Sequence, residues 1–174
     1  MRRAVVDQPR TAACLGPCDG AGSLAVADRP LSQALLGTWR LLSRENRTAG
    51  GERRIDPGLG ADPEALLFDD RRGNFAAQFM KRDRKPGSFE SAAVAGPNNS
   101  RAVGGYDAYF GSYEVDDLTG AVRQRLVGAL SPENVGLVVT RSRRVAGDEL
   151  TIQLDTASAD GTPVLRTLRW RRVA

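Results

Sequence analysis

From Gly37 onward, apolar and polar positions alternate with a period of two, which predicts strands rather than helices. Residues 37–44 open the first strand. Trp39, Leu41 and Ser43 share one face, and Arg40, Leu42 and Arg44 share the other. Residues 65–68 form a second strand, and Asp69-Asp70-Arg71-Arg72-Gly73 is a hairpin turn. The third strand, residues 74–82, sets Phe75, Ala77 and Phe79 opposite Ala76, Gln78 and Met80. Strands over 108–115, 121–130, 134–145 and 149–156 follow, punctuated by turns rich in Gly, Asp and Pro. A last strand occupies 163–173.

Short strands at regular spacing, with no long helix, predict an all-β domain over residues 31–174. The expected architecture is an eight-stranded antiparallel up-and-down barrel, because closure removes both sheet edges. Such a barrel has room for side chains or one small ligand. Residues 31–36 are amphipathic enough for one or two helical turns. Residues 1–30 show no periodicity and read as a flexible extension. Residues 84–105, broken by Pro86, Gly96 and Pro97, read as a long loop of the kind used for lids and binding. Both segments are expected near the barrel mouth, one or both acting as a lid.

Composition narrows the chemistry. The 174 residues, 41% hydrophobic and 26% charged, suit one globular domain with its own core. There is no histidine, which removes Ser–His–Asp and Cys–His nucleophile systems and histidine zinc sites. Cys14 and Cys18 supply at most half a metal site and are expected as plain thiols. Neither metal nor cofactor is expected. No apolar run approaches the roughly 20 residues of a membrane span. Asp7, Pro9 and Arg10 interrupt any apolar leader, so a cytoplasmic location without a membrane partner is expected.

The net charge is +4, and only Lys81 and Lys85 are lysines. The wealth of Arg, Ala, Gly and Pro suggests a GC-rich bacterial genome. Arg123, Arg125, Arg143, Arg144, Arg169 and Arg171 lie along the later strands without interleaved aromatics. They are expected on a solvated outer face, and no nucleic-acid partner is expected.

Several blocks carry a resemblance. Gly37-Thr38-Trp39 after a short helix resembles the G-x-W signature that opens the first strand of lipocalins. With residues 73–80, 109–116, 128–132 and 147–151, it makes the chain similar to a bacterial and fungal family of lipocalin-like domains. The likeness covers residues 31–173. It implies a calycin-type barrel whose Trp39 plugs the closed end under a stacked arginine, Arg171 or Arg172. Family members associated with natural-product pathways, where related barrels act as cyclases or isomerases, imply a hydrophobic intermediate as substrate. Many relatives carry histidine near the start of the fifth strand, where this chain has Gln124.

Candidate site residues follow from strand parity. Tyr109 and Tyr113 share a face, and they either pack or orient a carbonyl and shuttle a proton. Gln78 and Gln124 either bond a neighbouring side chain or meet a ligand. Arg141 shares parity with Leu137 and Val139, as Glu45 does with Trp39, so these two charges form a buried or mouth-facing pair. Trp39, Phe75, Ala77, Phe79, Met80, Tyr106, Leu126, Leu137 and Val139 are the expected ligand-lining set. The expected function is a cofactor-independent cyclase or isomerase acting on a hydrophobic biosynthetic intermediate, and the alternative is a non-catalytic carrier of a small hydrophobic molecule. The chain is expected as a monomer or homodimer.

Overall fold

A computed structural model describes residues 29–87, 91–93 and 101–173. The lead element is α1 (Leu31–Ala34), shorter than the helix expected over 31–36. Eight strands then follow one another around a closed wall. They are β1 (Gly37–Arg47), β3 (Glu64–Asp69), β4 (Asn74–Met80), β7 (Tyr106–Asp116), β8 (Ala121–Ala129), β9 (Val138–Ala146), β10 (Glu149–Ala157) and β11 (Pro163–Arg172). Each pairs antiparallel with the next, β4 with β7 included, and β11 returns to β1. The up-and-down barrel expected from the alternation is the fold. No helix among the described residues is long and apolar enough to cross a membrane.

Three short strands lie off this wall. β2 (Arg53–Arg54) pairs with the end of β1. β5 (Ser91–Ala93) and β6 (Arg101–Val103) pair with each other inside the stretch expected to be a loop throughout. Pro86 lies outside the ladder, where the missing N–H costs nothing.

The two barrel ends differ. One carries α1 and the short turns at 70–73, 117–120 and 147–148. The other carries the long connections 48–63, 81–105, 130–137 and 158–162. The 84–105 segment therefore sits at the long-loop end. Arg29 and Pro30 lead into α1, so the N-terminal extension joins the barrel at the opposite end. Residues 1–28, with Cys14 and Cys18, lie outside the described residues.

Trp39 seals the α1 end. It is fully buried, and its Nε1–H donates to Leu35 O at 2.8 Å. Arg172 stacks over it, with the guanidinium carbon 4.1 Å from the ring centroid, and donates to Leu36 O and Ala34 O. Such a stack contributes on the order of 0.5–2 kcal/mol. Arg171, the other arginine that could have stacked, lies outside, 3.8 Å from Glu149. Ser32 fixes α1 to the β7–β8 turn by donating its backbone N–H and its hydroxyl to the two carboxylate oxygens of Asp117.

Two bulges reset which residues face inward. On β1 the register slips between Leu41 and Ser43. Trp39 and Leu41 point in before it, whereas Arg44 and Asn46 point in after it. The simple alternation that placed Arg44 outside and Glu45 inside therefore fails beyond Leu42, because the extra residue inverts parity. Glu45 instead accepts from Arg47 at 3.0 Å, an exposed contact.

The second slip lies between Phe110 and Gly111, where Val127 of β8 is the extra residue. Here β7 and β8 close so tightly that a Cβ on Gly111 would stand 1.8 Å from the carbonyl oxygen of Arg125. A Cβ on Gly128 would meet only the ring of Phe110, at 2.4 Å, and that ring is exposed and able to turn. Gly111→Ala should therefore destabilise the fold by about 3 kcal/mol or more, because backbone must move. Gly128→Ala should cost less than about 1.5 kcal/mol. Urea unfolding of the two variants checks this order.

Candidate functional site

The inward positions of the barrel are less apolar than the alternation suggested. Leu67, Ala77, Phe79, Ile152, Leu154, Leu168 and Trp170 supply apolar walls. Between them project Arg44, Arg141, Arg143 and Arg166. Arg143, expected on the outer face with its neighbours, is 2% exposed. It sits two residues from Arg141 on the inward face of β9, so parity itself places it inside. Arg123, Arg125, Arg144, Arg169 and Arg171 are on the exposed face, as expected.

Buried charges need counter-charges, since isolated ions lose several kcal/mol of hydration. Arg143 finds Asp69 at the end of β3, with Nη1 2.9 Å from Oδ2. Burial pushes the Asp69 carboxyl up from its ordinary value, against the pull of Arg143. Burial also pulls Arg143 down, opposed by Asp69 and reinforced by Arg141. Nearby, Tyr113 donates to Asp70 O at 2.9 Å and is pushed up to about 12, first by burial and then by the charge of Asp69. Its hydroxyl is thus committed to the hairpin turn.

At the other end, Asp56 comes down from the 48–63 connection. Its Oδ2 accepts from Arg44 at 2.6 Å and lies 3.6 Å from Arg166. Its Oδ1 accepts from the backbone N–H groups of Gly58 and Leu59. Arg166 also donates to Asn46 at 2.8 Å, and Leu59 is buried in the core. The segment Asp56-Pro57-Gly58-Leu59-Gly60 is therefore a plug, held by one carboxylate and one leucine. Its alternation of apolar and polar residues does not mark it. The one available signal was Asp followed by Pro-Gly, an Asx-type turn. Burial pulls Arg166 down to about 9, reinforced by the charges of Arg44 and Arg141 and opposed by Asp56.

Two of the cavities among the described residues, an inner one and one in the wall, follow from this packing. The inner one measures about 30 Å3 and is lined by the four arginines, Tyr109, Gln124 and the apolar residues above. It has room for one or two water-sized groups. The second measures about 270 Å3 and lies in the wall. β1 pairs with β3 only as far as Arg40–Leu66, then parts from it toward β2. Arg40, Leu41, Glu64, Ala65, Leu66, Gln78, Phe79, Met80, Arg82 and Tyr106 surround the gap so formed. Phe79 borders both cavities.

The expected site residues divide accordingly. Ala77, Phe79, Tyr109, Gln124 and Arg141 meet at the inner cavity. Gln124 is fully buried and accepts from Arg141 Nη1 at 2.5 Å, and Arg141 also stacks over the Tyr109 ring at 5.7 Å. Met80 and Tyr106 line the wall pocket with Gln78, which faces out of the barrel and accepts from the Tyr106 hydroxyl at 2.9 Å. An inward Gln78 is thus not what the structure has, because it alternates with the inward Ala77 and Phe79.

Phe75 packs edge-on to Tyr109, and Leu126 and Val139 are buried beside it. These three and Trp39 border neither cavity. Leu137 is 42% exposed, because β9 begins only at Val138. The turn expected after Leu130 is a 3-10 turn over Pro132–Asn134, and the strand expected from Asn134 begins four residues later, at Val138.

A model of the lipocalin-like domain matches residues 36–173. The chain belongs to this lipocalin-like family. The match begins beside the G-x-W element and runs to the residue after Arg172, so it spans the whole barrel. No curated protein matches the chain. Family membership, a closed barrel and the two cavities together indicate a ligand-binding domain.

The Asp56 plug gives a pH dependence. Burial raises the Asp56 carboxyl, but Arg44, Arg166 and the Leu59 N–H outweigh it and hold it below its ordinary 3.8. A carboxyl depressed on folding contributes stability that is present above the unfolded value and lost as pH falls through the folded one. Stability should therefore drop as pH falls below about 4. Asp56→Ala, which removes the carboxylate that faces the buried guanidinium groups of Arg44 and Arg166, should cost about 3–5 kcal/mol at neutral pH. It should also flatten the acid limb. Chemical unfolding as a function of pH measures both.

Proposed function

We propose that this barrel holds a small molecule without transforming it, and that the ligand enters where β1 parts from β3. The observation that carries the reading is the wall pocket of about 270 Å3, near the lower end of small-molecule sites. Leu41, Ala65, Leu66, Phe79, Met80 and Tyr106 make it mainly apolar, and a few polar groups at its rim can orient a ligand.

Holding is favoured over conversion by the state of the polar groups. A cyclase or isomerase would draw on Tyr109, Tyr113, Gln78, Gln124 and Arg141. Tyr113 is bonded to the hairpin backbone, with its phenol pushed up to about 12, and Gln78 lies outside the inner cavity. Tyr109, Gln124 and Arg141 remain. An amide and a guanidinium orient and stabilise charge, but neither exchanges a proton readily near neutral pH. Turnover by confinement alone would need a roomier chamber than the inner cavity offers.

The test is a fluorescence titration with N-phenyl-1-naphthylamine, a neutral apolar probe that brightens on leaving water. The full chain should bind it with micromolar affinity. Ala65→Trp or Met80→Trp, each shown to be folded by circular dichroism, should weaken binding at least about tenfold by filling the pocket, a loss of 1.4 kcal/mol. Binding that is absent, or unchanged in both variants, would remove the wall pocket as the ligand site.

A further inference from the structure

The inner cavity carries an imbalance that the ion pairs do not correct. Four arginines line it, and no acidic residue does. Asp56 and Asp69 reach Arg44, Arg166 and Arg143 from beyond the lining. The donors that remain around the cavity are specific atoms. Gln124 Nε2, Arg143 Nε, Arg143 Nη2 and Trp170 Nε1 are buried without a hydrogen-bond partner. Their residues are all at most 2% exposed. The Gln124 amide cannot be turned to relieve this, because Arg141 donates to its oxygen and a flip would set the NH2 against that guanidinium. Buried donors left without acceptors lose their hydration with nothing in return. Four of them around one small space form a site awaiting acceptors, and the neighbouring guanidinium groups favour a negative one.

We propose that the inner cavity of the barrel binds a carboxylate, held by Gln124, Arg141, Arg143 and Trp170. A carboxylate offers two oxygens with about four lone-pair directions, matching a cluster of donors in a space for one or two water-sized groups. This rests on the ligand-holding reading and names the ligand's head group. Phe79 borders both cavities, so an amphipathic acid can place its head among the donors and its chain in the wall pocket once that ring turns. A free small carboxylate would use the inner cavity alone. The small hydrophobic ligand expected from the sequence thereby becomes an acid.

The experiment titrates the full chain with decanoate, decanol and acetate. It follows the Gln124 side-chain NH2 resonances by NMR and displacement of N-phenyl-1-naphthylamine by fluorescence. Decanoate is expected to bind at least tenfold tighter than decanol and to shift the Gln124 NH2 signals. Arg141→Met and Gln124→Leu should shrink that preference to below threefold while leaving naphthylamine binding in place. Arg141→Lys should restore part of it.

Acetate binding as tightly as decanoate assigns the site to free carboxylates, and tighter decanoate binding assigns it to the head of an amphiphile. Equal affinity for decanoate and decanol, or carboxylate binding that leaves the Gln124 signals unmoved, overturns the proposal while the apolar pocket stands. Failure of naphthylamine to bind at all would count against the ligand-holding reading itself.

Discussion

The charge on Arg44, Arg143 and Arg166 has to be answered inside a barrel that has almost no water-sized space to spare. That constraint organises the rest of the structure. Asp69 ends β3 where it can reach Arg143, and Asp56 descends from a connecting loop to reach Arg44 and Arg166. The first pair ties β3 to β9 across the barrel. The second turns a Pro-Gly segment into a plug. An apolar replacement of such pairs can be as stable as the pairs themselves, whereas removal of one partner is costly. Keeping four arginines inside is therefore hard to explain by stability alone, and a ligand that uses them gives a reason.

The two ends and the wall of the barrel then have distinct work. The α1 end is shut by Trp39 beneath Arg172, a contact that uses ring, guanidinium and two backbone carbonyls together. The opposite end is shut by Asp56 and Leu59. With both ends covered, the proposed entry is the seam where β1 changes partner from β3 to β2.

Much of the architecture was legible in the chain. Period-two alternation, Gly-rich turns and the Gly37-Thr38-Trp39 element were enough for the eight-stranded closure, and Arg172 was one of two arginines expected over Trp39. Face assignments held wherever strands ran without interruption: Phe75, Ala77 and Phe79 on β4, Tyr109 and Tyr113 on β7, Gln124 on β8. They failed past bulges. A bulge inserts one residue and leaves no mark in an alternation of short segments, so Arg44 and Glu45 exchanged sides unseen. Arg143 was missed for a different reason. Its parity with Arg141 was visible, but a run of arginines reads as surface until a buried Asp69 is known to face it. Asp56 was out of reach because pairing between a loop carboxylate and two strands far apart in sequence has no local signature.

Arginines 44, 143 and 166 are held inside the barrel as charged, hydrogen-bonded groups. The direct measurement is NMR of the arginine side-chain Nε–H groups with hydrogen exchange. Three dispersed signals that exchange slowly and are assigned to these residues are expected, set apart from the clustered, fast-exchanging signals of exposed Arg123, Arg125 and Arg171. Signals from Arg44, Arg143 and Arg166 that merge with the exposed set and exchange as quickly would contradict it.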